Sequence, residues 1–256
     1  MCLVLFAWHT HPDLPLVVAA NRDEFYARPT EPLHRWDEGF VAGRDLLAGG
    51  TWMGISDGLR FAAVTNVRDG SPAAGALSRG RLPVDFLVSE DSAAFHADSV
   101  AADGSAYGSF NLLVADRDEL WWSTNRPHGR RHRVEPGIHG LSNAELDTPW
   151  PKVTEGTRLF GAALAADDGK PDTDLEAYFA VLAHSEPAAW ESLPDTGVGP
   201  DLERALSSRF IHYGEYGTRA STVLRVRSDG TYDITERRFD PNGVTGEVRF
   251  DSAQVR

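Results

Sequence analysis

The stretch CLVLFAWHTHPDLPLVVAANRDEF, residues 2–25, decides how the chain is read. Two apolar runs, residues 2–8 and 14–20, are rich in Val and Leu and are separated by His9-Thr10-His11-Pro12-Asp13. That pattern predicts a β-hairpin, so the chain opens inside a sheet. The second run closes on four polar residues, Asn21-Arg22-Asp23-Glu24, at the expected strand end.

Working outward, further strands are expected at residues 51–56 and 60–66 around Asp57-Gly58, and at 110–115 and 119–124 around Asp116-Arg117-Asp118. Between these pairs, Val84, Leu87, Val88, Ala94 and Phe95 recur at roughly helical spacing, with a break near Glu90-Asp91-Ser92 where a new N-cap begins. Two helices are expected there. Val153, Leu159, Phe160 and Leu164 predict a helix within 149–166, and Leu175, Phe179, Val181 and Leu182 another. Residues 190–208 read as irregular because of Pro194, Gly197, Gly199 and Pro200. Strands resume at 220–227, 231–238 and 244–250, with Asp229-Gly230 and Asn242-Gly243 as turns. No internal repeat or low-complexity tract interrupts this order. Strands first, helices in two blocks and strands last predict one layered α+β domain over residues 1–256, with the opening and closing strands neighbours in one sheet.

The 256 residues, 41% of them hydrophobic, suffice for a substantial core. Twenty-five Lys and Arg against 38 Asp and Glu give a formal charge of -13, which argues against a nucleic-acid partner. Only Lys152 and Lys170 are lysines; the other 23 basic residues are arginines. No run approaches about 18 apolar residues, and the opening stretch has no basic flank, so a protein without membrane insertion, unexported and cytoplasmic, is expected. The single cysteine, Cys2, permits neither an intramolecular disulfide nor a multi-cysteine metal site.

Cys2 nevertheless suits covalent chemistry. Removal of an initiator methionine requires a compact second side chain, and Cys2 meets that requirement. A free α-amine has a reference pKa of about 7.7 to 8, so part of it is unprotonated at neutral pH. On the same residue as a thiol of reference pKa about 8.5, it can take the thiol proton directly or through one water, without a histidine. The alternative is that Cys2 is a small buried hydrophobe on the first strand. A nucleophile attacking a carbonyl also needs oxyanion donors, and an asparagine amide donates without titrating. Candidates recur at strand ends: Asn21 to Glu24, Thr65-Asn66, Leu141-Ser142-Asn143 and the segment from Tyr213 to Arg219. Each also reads as a turn residue or surface ion pair.

Five blocks occur in the order seen in the NRDE family: Asn21-Arg22-Asp23-Glu24 with Phe25; Gly49-Gly50-Thr51-Trp52-Met53-Gly54; Thr65-Asn66; Gly140-Leu141-Ser142-Asn143 with Asp147-Thr148-Pro149-Trp150-Pro151-Lys152; and Tyr216-Gly217-Thr218-Arg219. The chain resembles that family, which includes the eukaryotic transport and Golgi organisation 2 proteins, from Cys2 to about Val223. The family in turn resembles N-terminal-nucleophile hydrolases, with an αββα sandwich, and is most similar to the cysteine branch that includes penicillin V acylase and bile-salt hydrolase. The resemblance implies a cysteine N-terminal-nucleophile amidohydrolase acting on a small acylated or amide substrate. It places Cys2 at the nucleophile, Asp23 at the aspartate that holds the amine, Asn66 and Asn143 at the oxyanion positions, and Arg219 at the late-strand arginine. In the acylases another arginine stands before the Asn-x-Asp portion, where this sequence has Ala20, so Arg22 either replaces it or points elsewhere. For the family's eukaryotic members, haem handling and acyl-lipid or coenzyme A metabolism have both been proposed. The alternative implied for this chain is therefore a non-catalytic haem or acyl-coenzyme A binding and trafficking protein.

Other motifs carry less. His9-x-His11-x-Asp13 lies in the first turn and lacks the helical spacing of a metal motif, and no resident metal or cofactor is expected. The absence of Cys-x-x-Cys-His excludes covalent haem attachment and leaves haem open only as a non-covalent ligand. Arg126, Arg130, Arg131, His132 and Arg133 either grip an anion or form a charged hairpin tip. The seven tryptophans read mainly as core material and alternatively as a pocket lining.

Overall fold

The computed structural model describes residues 2–70 and 75–252, and Cys2 through its backbone. Met1 and the Cys2 side chain, on which the nucleophile reading falls, lie outside the described residues. In chain order the strands are β1 (Cys2–Trp8), β2 (Leu16–Phe25), β3 (Thr30–Trp36), β4 (Phe40–Asp45), β5 (Met53–Ser56), β6 (Phe61–Asn66), β7 (Phe110–Ala115), β8 (Leu120–Thr124), β9 (Arg130–Arg133), β10 (Gly137–Leu141), β11 (His212–Tyr213), β12 (Tyr216–Val226), β13 (Tyr232–Asp240) and β14 (Gly243–Asp251). The α-helices are α1 (Arg81–Val88), α2 (Ala93–Asp103), α3 (Pro151–Ala166), α4 (Glu176–Leu182) and α5 (Pro200–Ala205).

The chain divides into two compact units. The first, Met1–Ala27, Pro136–Ser142 and Leu146–Arg256, holds an antiparallel sheet in the order β10-β1-β2-β12-β13-β14, with β11 beside β12. The hairpin expected from residues 2–25 is present, with Cys2 opposite Arg22 and Trp8 opposite Leu16. β2 also pairs with β12, which makes the opening and closing strands neighbours. Alternate residues Leu3, Leu5, Ala7, Val17 and Ala19 present one apolar face, and Val153, Phe160 and Leu164 of α3 with Phe179 and Leu182 of α4 pack in the same cluster. Burying each such large side chain contributes about 1.5–3 kcal/mol. Pro151 starts α3 at its first turn, where its missing N–H is harmless and its φ is already helical.

The second unit, Arg28–Glu135 with Asn143–Glu145, is an antiparallel meander in the order β3 to β9, with α1 and α2 inserted between β6 and β7. Leu82, Phe86 and Leu87 of α1 and Ala93 and Ala97 of α2 cluster with Phe40, Ala62, Phe110, Leu112 and Val114. Helix α2 starts at the expected N-cap, where the Ser92 side chain accepts the Phe95 N–H at 3.2 Å.

Four elements, β3, β4, β9 and α5, depart from the sequence reading. β3 and β4 occupy residues for which no strand was expected, since β3 breaks its alternation at a register shift between Glu31 and His34. β9 is four exposed basic residues paired to β8, with no apolar periodicity to reveal it. Pro200, read as a breaker, instead occupies the first turn of α5. Among the described residues no helix is long and apolar enough to cross a membrane.

Candidate functional site

In the first unit, β2 runs past residue 20 and carries its polar quartet into the sheet. Asn21, Arg22 and Asp23 are buried, Asp23 at 2% exposure. Strand alternation puts Asn21 and Asp23 on the face that bears Ala19 and the helices, and puts Arg22, the partner of Cys2, on the opposite face. Sequence neighbours with two expected roles therefore serve different sides of one sheet.

Asn21 is a staple. Its amide donates to the carbonyls of Leu182 at 3.0 Å and Arg209 at 2.7 Å, and its Oδ1 accepts the Ser221 hydroxyl at 2.6 Å. Asp23 Oδ1 accepts the Thr218 hydroxyl at 2.7 Å, and the Asp23 carbonyl accepts the Tyr216 hydroxyl at 3.0 Å. Burial raises the Asp23 pKa, while the Lys152 charge, the Thr218 hydrogen bond and Arg22 pull it back down. Lys152 sits in the first turn of α3, where a helix dipole disfavours a cation, yet it is buried and its Nζ donates to the Leu206 carbonyl at 2.9 Å.

Arg219 is the extra residue of a β-bulge. Thr218 opposes Asp23 and Ala220 opposes Arg22, so the β2–β12 ladder skips it. Its Nη1 donates to the carbonyls of Phe25 and Tyr26, each at 3.0 Å, which fixes the end of β2. Burial and then the nearby Arg22 guanidinium push its pKa down.

In the second unit, Asn66 ends β6, and the fully buried Asn143 donates from Nδ2 to both the Asn66 carbonyl at 3.0 Å and the Asn66 Oδ1 at 3.1 Å. Receiving a bond at Oδ1 fixes the Asn66 amide, whose own Nδ2 reaches the Val67 carbonyl at only 3.5 Å. Asn66 is thus the more available donor, and Asn143 orients it.

The structure thus gathers Arg22, Asp23, Arg219 and the Cys2 backbone in the first unit, and Asn66 with Asn143 in the second. Asn21 and Thr218 lay within the candidate segments without a role assigned to them, and Ser221 and Lys152 were missed as site residues. The signal for Asn21, Thr218 and Lys152 was that these polar side chains of the quoted blocks fall at positions that a strand or helix buries, whereas Ser221 lies just beyond the last block.

The remaining motifs have local accounts. His11 Nδ1 accepts the Asp13 N–H at 3.2 Å, and Nε2 lies 3.1 Å from the Asp167 carbonyl. The basic cluster is paired with acids, Arg126 to Asp69, Arg130 to Glu145, Arg131 to Asp98 and Arg133 to Glu119, which makes β9 a charged edge strand. Trp8, Trp36 and Trp122 are buried, whereas Trp190 is exposed on a cleft of about 310 Å³ with Arg204, His212 and Tyr213. The Arg204 guanidinium lies 5.0 Å from the Trp190 ring centre.

Comparison with known proteins places these features in context. The model of a family described as Transport and Golgi organisation 2 matches residues 1–241. A bovine Transport and Golgi organization protein 2 homolog is 35% identical over 98% of this chain and 100% of its own length. The human homolog is 32% identical over 93% of this chain and 92% of its own. Among solved structures, the mutant C2A conjugated bile acid hydrolase from Clostridium perfringens aligns with a TM-score of 0.57 at 8% identity, covering 99% of this chain and 93% of that one. The Caenorhabditis elegans N-acylethanolamine-hydrolyzing acid amidase ortholog aligns at 0.53 and 10% identity, over 87% of this chain and 92% of that one. At those identities the likeness concerns the fold, which is α+β and N-terminal-nucleophile-hydrolase-like, as expected.

Proposed function

Because the chain belongs to the Transport and Golgi organisation 2 family, we propose that it is a cysteine N-terminal-nucleophile amidohydrolase acting on a small acylated or amide-containing molecule. The observation that carries this reading is the buried Asp23 on β2, the strand that pairs with the one bearing Cys2, where it accepts a hydrogen bond from Thr218 of β12. A carboxylate placed there at the cost of desolvation suits a group that must hold a cationic amine.

In the proposed reaction, removal of Met1 exposes the α-amine of Cys2, which takes the thiol proton. The thiolate adds to the substrate carbonyl, and Asn66, oriented by Asn143, donates to the oxyanion. The ammonium returns its proton to the leaving nitrogen as the C–N bond breaks and leaves a thioester. Water, deprotonated by the same amine, then releases the carboxylic acid and restores the thiol. Arg219 fixes the end of β2. A small-molecule substrate, a cytoplasmic location and no nucleic-acid partner complete the proposal, the last supported by the charge of -13.

The test is a panel of N-acyl amides and thioesters incubated with protein whose mass shows Met1 removed. Release of free acid by the native chain, abolished by Cys2→Ala, is expected. Turnover that survives Cys2→Ala would refute the proposal.

A further inference from the structure

Thr218 is fully buried, and both hydrogen-bonding faces of its hydroxyl are engaged. The Ile211 N–H donates to its Oγ1 at 2.9 Å, so the hydroxyl hydrogen must point elsewhere. It points to Asp23 Oδ1 at 2.7 Å. The bond from Ile211 occupies a lone pair and leaves the O–H free to donate, and the oxygen it meets is the Asp23 carboxylate, so Asp23 receives a hydrogen bond that favours its ionised form.

The pin is itself built in. The Thr218 N–H donates to the Ile211 carbonyl at 2.9 Å, which closes a two-bond clasp between the same residues. The segment leading to Ile211 is tied down along its length: Lys152 donates to the Leu206 carbonyl, Asn21 to the Arg209 carbonyl at 2.7 Å, and the Phe210 N–H to the His184 carbonyl at 2.8 Å. The side chains that make these bonds, Asn21 and Lys152, are both buried. The direction of the Thr218 hydroxyl is therefore fixed by the fold rather than by whatever occupies the site.

We propose that Thr218, held by Ile211, is the positioning residue of the reaction, fixing Asp23 in one rotamer as an acceptor so that it can hold the Cys2 amine. This rests on the amidohydrolase reading and extends it to a residue that touches no reacting atom.

The experiment uses the only thiol in the chain. The rate of iodoacetamide alkylation of Cys2 is measured at pH 7 on Met1-processed protein, for the native chain and for Thr218→Val, Thr218→Ser and Asp23→Asn, with thermal unfolding recorded in parallel. Removing a hydrogen bond to a charged group should slow alkylation on the order of tenfold in Thr218→Val, and Thr218→Ser, which keeps the hydroxyl, should restore it. A role in packing alone would lower the melting temperature of both variants without separating their alkylation rates. Should Thr218→Val not fold, Thr218→Ala carries the same comparison. A native rate in Thr218→Val beside a slow Asp23→Asn overturns the inference and leaves the amidohydrolase reading standing. A native rate in Asp23→Asn overturns that reading as well.

Discussion

Replacing Arg225 with methionine probes the strongest electrostatic commitment in the first unit. The Arg225 side chain is fully buried between two buried carboxylates. Its Nε and Nη2 donate to the two oxygens of Asp233 at 3.2 and 2.9 Å, Nη1 donates to Asp167 at 3.0 Å, and Nη2 also reaches the Lys170 carbonyl at 2.9 Å. Tyr178 donates to Asp167 at 2.9 Å and Arg227 pairs with Asp233, so a partial network survives the substitution. Breaking a buried ion pair from one side costs about 3–5 kcal/mol. For a chain of this size that lowers the melting temperature by roughly 6–20 °C, at about 2–4 °C per kcal/mol. The sign of the pH dependence follows from Asp233, whose folded pKa burial already raises above 3.8 despite Arg225. A carboxyl raised in this way favours the folded state below its unfolded pKa, and the advantage is lost as pH rises through the folded value. Without Arg225 the rise is larger, so the deficit should be smaller at pH 5 than at pH 7. Urea unfolding at both pH values measures it. A loss below about 1 kcal/mol at pH 7, or a loss equal at both values, would refute the reasoning.

Other outcomes follow from single contacts. Asn66→Ala and Asn143→Ala should each lower turnover about 10²–10³-fold, and because one orients the other, the double variant should lose little more than either in steady-state assays. Asn21→Ala leaves the Leu182 and Arg209 carbonyls without their donor and should cost about 1–3 kcal/mol in chemical unfolding. Gly217→Ala would press a methyl group onto the Tyr26 hydroxyl and to 2.7 Å from the Ile211 carbonyl, so a loss of about 1–3 kcal/mol and slower Cys2 alkylation are expected.

The hairpin at residues 2–25 was legible because its apolar runs are uninterrupted, and α1 to α4 because their apolar residues recur at helical spacing. Strand ends were harder to read. β2 extends to Phe25 and β12 begins at Tyr216, because Asn21, Asp23, Thr218 and Ser221 satisfy one another inside the sheet. To a reading based on hydrophobicity such residues look like the end of a strand. β9 is held by backbone pairing, with its side chains exposed, so no apolar pattern could announce it. The candidate site was legible as ordered blocks of residue types. The division of labour within it was not, since the neighbours Arg22 and Asp23 occupy opposite faces and the bulge at Arg219 is a matter of register.

The most direct measurement of the central claim is intact-mass spectrometry of the purified chain, before and after brief mixing with an activated acyl ester and an acid quench. The account predicts a mass lacking Met1 and a single acyl adduct localised to Cys2, absent from Cys2→Ala. A retained Met1, or an adduct that persists in Cys2→Ala, would contradict it.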